Sequence, residues 1–165
     1  MRMDLIQPFI NSADAVLAQG LESSIAVENL SMDEEAYRRR GIAAEIYLAG
    51  EIEGRIIFDV DFGTALQLAS RLAGVTVAET DESLMREAVC ELANQIIGNA
   101  VTTLNDQGFH FHVRPPKAHT SEQGSKSTED TEALVLCFNT SSGNVFMNVA
   151  LSYHRRPAEH AAVAK

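Results

Sequence analysis

Residues 90–99 read CELANQIIGN, and within this otherwise apolar stretch Glu91, Asn94, Gly98 and Asn99 are out of keeping. A carboxylate can pair with a cation. A carboxamide carries two N–H donors and an acceptor oxygen but is no useful base. The chemistry open to the amide is binding and positioning through hydrogen bonds rather than proton abstraction. On a helix advancing ~100° per residue, Val89, Ala93, Ile96, Ile97, Ala100 and Leu104 share one side. Glu87, Glu91, Asn94, Gly98 and Asn105 fall on nearly the opposite side, and Asn99 lies between the two. A plain solvated face accounts for the charges. It does not account for Gly98, because glycine inside a helix costs about 1 kcal/mol relative to alanine. Room for another backbone or a bulky group to come close does account for it.

The helix that must carry these residues spans 81–106: Thr80 or Asp81 can cap it, acids fill its first turn and Gly108 suits its exit. Ahead of it, residues 4–18 form a first helix, with Ile6, Phe9, Ile10, Ala13, Val16 and Leu17 at helical spacing and Gly20 as the stop. Strands follow at 23–31, 42–49 and 53–61, the last two joined as a hairpin through Gly50-Glu51. A shorter helix over 62–72 stops at Gly74, and Asp59 and Asp61 stand where acids cap such a helix. After the long helix come strands at 109–116, 132–140 and 144–154. A polar run at 118–131 separates the first two as a surface loop, and the turn NTSSGN at 139–144 joins the last two.

Each half therefore reads as one helix followed by three strands, the last two a hairpin. The expected fold is α+β: a six-stranded, largely antiparallel sheet covered by helices, built from a pseudo-duplicated helix-plus-three-strands unit. One domain covers 1–156, with halves near 1–61 and 80–156 and the connecting helix at 62–74; the tail 157–165 has nothing to pack.

A chain of 165 residues with 45% hydrophobic and 22% charged content is that of a soluble globular domain. A net charge of −10 excludes the basic surface that nucleic acid or an anionic membrane requires. The N-terminal segment contains acids and polar breaks where a signal peptide needs an unbroken apolar core, and no segment reaches the ~20 apolar residues of a membrane span. Cys90 and Cys137, both in apolar surroundings, read as free thiols of a reducing cytoplasm.

The spacing Glu91-x-x-Asn94-x-x-x-Gly98-x-Ala100 on a long helix resembles the signature of the CheC/CheX/FliY family of bacterial chemotaxis phosphatases. It is closest to the CheX branch, which has one signature helix per chain. Gln7-Pro8-Phe9-Ile10 is similar to the Asn-Pro-Phe found early in that branch, and the order of elements agrees. The resemblance implies hydrolysis of the aspartyl-phosphate of a CheY-like receiver. Glu91 matches the acid that pairs with a receiver lysine, and Asn94 the amide that enters the receiver's site and orients the attacking water. Gly98, on the same face, lets the partner's loops come close. One departure is Glu87, where the family favours Asp or Ser; its longer side chain bears on partner preference. The resemblance further implies that the chain binds no cofactor of its own, that Mg²⁺ belongs to the receiver, and that the protein forms a homodimer partly through sheet edges. The first helix has no Glu-x-x-Asn, so one site per chain is expected.

Other features carry less. His110 and His112 alternate on a strand and share a face, but no further ligand stands at convincing spacing, so no metal site is expected. Arg38, Arg39 and Arg40 form a short basic run in an acidic chain, and no glycine-rich phosphate loop is present. The competing readings are a CheX-like module that binds a receiver or other signalling partner without hydrolysis, and an assembly protein whose glycine-bearing helix packs on another subunit.

Overall fold

The computed structural model describes residues 3–21, 41–78, 81–120 and 134–153. Helix α1 (Met3–Leu21) buries Leu5, Ile6, Phe9, Ala13 and Leu17. It reaches Leu21, past the end expected at 18 and one residue beyond Gly20. Strands β1 (Ile42–Gly50) and β2 (Ile52–Val60) form the expected hairpin, in register from Ile42↔Val60 to Leu48↔Gly54. Asp61 then caps α2 (Phe62–Ala73): its Oδ1 accepts the Thr64 N–H at 2.7 Å. Gly74 ends α2 in the left-handed conformation, its N–H donating to the Ser70 carbonyl at 2.9 Å. Helix α3 (Glu82–Asp106) starts from Asp81, whose carboxylate accepts the Leu84 N–H at 3.2 Å.

Four strands complete the sheet: β3 (Phe111–Val113), β4 (Lys117–Thr120), β5 (Leu134–Thr140) and β6 (Gly143–Tyr153). The six strands pair antiparallel throughout, in the order β3-β1-β2-β6-β5, with β4 also on β1. Among the described residues the strands number six, and they include one, β4, that the sequence reading did not expect. The expected strand at 23–31 lies outside the described residues, as do Arg38, Arg39, Arg40 and the tail 157–165. The strand expected at 109–116 is cut to Phe111–Val113, with His110 just outside it. Residues 118–120, expected to open a surface loop, instead belong to β4. The cause is local. After the Arg114 N–H donates to the Tyr47 carbonyl at 3.0 Å, Pro115 and Pro116 offer no donor, so the ladder breaks and resumes at Lys117↔Glu45.

Alternate strand residues, among them Ile46, Leu48, Ile56, Phe58, Leu136, Phe138, Met147 and Val149, join the helices in one apolar core. Residues between them point the other way and include Glu45, Arg55, Asp59 and Asn148, all buried. The Tyr47 hydroxyl donates to Glu45, and burial lowers the Arg55 pKa to about 10. Both cysteines are free, as expected.

Gly54 shows what a required glycine looks like in this sheet. Its φ is +134°, and a Cβ there would stand 2.0 Å from the Ala150 carbonyl oxygen of the neighbouring strand. Gly54→Ala is therefore expected to destabilise the protein by about 2 kcal/mol or more, read as a lowered urea midpoint.

Candidate active site

Helix α3 is held by three neighbours. Its apolar residues Met85, Ala88, Val89, Leu92, Ala93, Ile96, Ile97, Ala100 and Leu104 are buried against the sheet, α1 and α2. The buried Ser12 hydroxyl of α1 donates to the Ile96 carbonyl at 2.5 Å, fixing where the two helices cross. Near the other end, the Arg86 guanidinium donates to the Ala118 carbonyl of β4 at 3.3 Å and lies 3.5 Å from Glu82.

With that face sealed, Glu87, Glu91, Asn94, Gly98 and Asn105 are all exposed, as the helical wheel requires. A rise of 1.5 Å per residue puts Asn94 about 4.5 Å along the axis from Glu91, and Gly98 about 6 Å further. Among the described residues no side chain hydrogen-bonds the Asn94 carboxamide, so both its donors and its acceptor point to solvent. Glu91 is steadied by Gln95, whose Nε2 donates to Glu91 Oε1 at 3.3 Å. The sequence reading missed Gln95; its four-residue spacing from Glu91 was the available signal.

Gly98 differs from Gly54 in every respect: a Cβ built there meets nothing within 4 Å. No packing need of this chain's described surroundings calls for glycine at that point. The Thr102 hydroxyl donates back to the Gly98 carbonyl at 3.1 Å, keeping the turn closed.

Two grooves flank the exposed line. One, of about 560 Å³, runs between α1 and α3 and is lined by carboxamides, including Gln7, Asn11, Asn99 and Gln107. Asn99 thus turns away from Asn94 toward α1. The other, of about 200 Å³, lies where α1, α2 and α3 meet, with Glu91 and Gln95 on its wall. Cys90, beside Glu91 in sequence, is half-buried; burial raises its pKa, against a smaller opposing effect of the Arg86 charge.

His110 and His112 are both exposed. Among the described residues, no three His, Cys, Asp or Glu side chains are placed to hold a metal ion. No described helix is long and apolar enough to cross a membrane. What the α3 surface presents is an exposed carboxylate with one hydrogen bond from Gln95, an exposed carboxamide in line with it, and a gap: groups that can bind a second macromolecule and order a water against it.

Helices packed over a six-stranded antiparallel sheet are a fold found in chemotaxis proteins. The family model for chemotaxis phosphatase CheX matches residues 42–139, more than half of the chain, and the chain belongs to that family. It is similar to a chain of the CheX–CheY–BeF3–Mg²⁺ complex from Borrelia burgdorferi, at 33% identity and a TM-score of 0.74, covering 91% of this chain and 99% of that one. The fold is shared with chemotaxis protein CheX from Vibrio vulnificus (19% identity, TM-score 0.76, 90% and 99% of the two chains). It is shared too with FliY from Thermotoga maritima (17% identity, TM-score 0.64, 86% and 84%). No curated protein sequence matches the chain.

The open space at Gly98 makes a direct test of what the glycine is for. Gly98→Ala is expected to raise unfolding stability by about 1 kcal/mol, measured by chemical denaturation. A lower stability would mean that glycine serves the fold rather than the surface.

Proposed function

We propose that this protein is a phosphatase for the aspartyl-phosphate of a CheY-like receiver domain, docking through the exposed line on α3. The observation that carries the reading is the exposure of Glu91, Asn94 and Gly98 on one face of that helix, in a chain of the CheX family. The similar complex from Borrelia burgdorferi contains CheY with BeF3 and Mg²⁺, which supports a receiver as the partner.

In this mechanism Glu91 pairs with a lysine of the receiver, restrained by Gln95. The Asn94 carboxamide enters the receiver's site and holds a water in line with phosphorus. The water oxygen bonds to phosphorus as the bond from phosphorus to the aspartyl oxygen breaks. Inorganic phosphate leaves with both water hydrogens, and the aspartate carboxylate is restored. When bound in the receiver, Mg²⁺ would supply neutralisation of charge on the phosphoryl oxygens. An amide suits the position better than a carboxylate, since it neither repels those oxygens nor competes for the metal. Asn94 does not take the proton; its contribution is the removal of positional freedom from the water. Glu87 and Gly98 complete the contact surface, Glu87 tuning partner preference and Gly98 admitting the receiver's loops. The protein acts in the cytoplasm as a homodimer, for which β5 on one side and β3 and β4 on the other are the sheet edges among the described residues.

The test is the decay rate of a phosphorylated receiver with and without the protein. Wild type is expected to speed decay. Asn94→Ala should lose about 100-fold or more of that acceleration while still binding a beryllofluoride-loaded receiver. Glu91→Ala should lose binding by about tenfold or more. A wild-type protein that binds receivers but leaves their decay unchanged would support the non-catalytic module instead.

A further inference from the structure

The groove where α1, α2 and α3 meet has no part in the mechanism above, yet Glu91 forms one of its walls. Its floor is apolar: Leu68, Ala88 and Leu92. At its lip stands Leu72, near the C-terminus of α2, with 57% of its surface in solvent. Leu84, which is also exposed, lies one turn and two turns before Ala88 and Glu91 on the same side of α3. An exposed leucine is unremarkable alone. A leucine lip over an apolar recess, walled by a restrained carboxylate, is the layout of an interface anchor point, where an apolar contact is ringed by polar groups.

We propose that this recess is the receiver's second point of attachment: it takes one apolar side chain that the receiver presents beside the basic residue paired with Glu91. The inference rests on the receiver reading given above. Charge and continuity select this occupant. The wall at Glu91 is acidic and belongs to the same line as Asn94, so a partner seated over Asn94 already lies against the recess. A recess of about 200 Å³ has room for a single side chain of the partner. On the opposite side Arg71 donates to the Ser141 hydroxyl at 3.1 Å, which ties the α2 wall to the turn between β5 and β6. The anchor would let affinity for the receiver be set apart from the rate of hydrolysis: Leu72 grips, Asn94 positions.

The experiment titrates a beryllofluoride- and Mg²⁺-loaded receiver into wild type, Leu72→Asp and Leu72→Met, with phosphorylated-receiver decay measured in parallel. Leu72→Asp should raise the dissociation constant about tenfold or more, and Leu72→Met should restore it to within about threefold of wild type. The exposed position keeps folding out of the result, checked by unchanged unfolding midpoints. Equal affinities for wild type and Leu72→Asp would overturn the anchor while leaving the phosphatase reading intact. A wild type that binds through Leu72 but does not speed decay would sink the phosphatase reading and leave the anchor standing. Loss of self-association in Leu72→Asp with receiver affinity unchanged would assign the recess to a second copy of this chain and refute the proposal.

Discussion

The rotation of α3 about its own axis is set by burial. Nine of its side chains, from Met85 to Leu104, are sealed against the sheet and the two flanking helices. Each large apolar group among them is worth roughly 1.5–3 kcal/mol when removed from water. Turning the helix by one residue's angle would pull several of these into solvent and push Glu91 or Asn94 toward the core, where an unpaired polar group is costly. The Ser12 hydroxyl on the Ile96 carbonyl adds a directional stop, because a hydrogen bond tolerates little rotation. The outward stripe is thus a by-product of the inward one. No contact on the solvent side is needed to aim Glu91 or Asn94.

That arrangement explains why the exposed face of α3 was legible in the sequence. Helical spacing separates Val89, Ala93, Ile96 and Leu104 from Glu87, Glu91 and Asn94, and the structure keeps them apart in the same way. Caps were legible for a related reason: Asp61, Asp81 and Gly74 act on backbone groups within a few residues, so their effect is written locally. What escaped is tertiary. β4 reads KAHT, with no apolar alternation, and it is a strand only because the outer edge of β1 still has groups to pair after Pro115 and Pro116 interrupt β3. The recess at Leu72 is made by three helices, and no spacing within any one of them announces it.

The two kinds of glycine divide along the same line. Gly54 is demanded by its neighbours: the backbone is in a region that side chains avoid, and the adjoining strand fills the space where a Cβ would go. Gly98 is demanded by none of the described chain. The buried polar row of Glu45, Arg55, Asp59 and Asn148 has no counterpart in the hydropathy pattern either, since β2 and β6 read as ordinary strands with occasional polar residues. Its members lie on the sheet face away from the α3 core, so it shares no residue with the α3 line.

Because Glu91 and Asn94 sit one turn apart on a single helix, their spacing is set by the backbone hydrogen bonds of α3 and not by the meeting of two mobile parts. Among the described residues no loop stands between them that would have to bring a missing group into place. A surface built this way needs no rearrangement to present both groups. Control of the proposed activity would then come from outside it: from how much protein the cell makes, from whether the receiver carries its phosphoryl group, or from a competitor that covers the same helix.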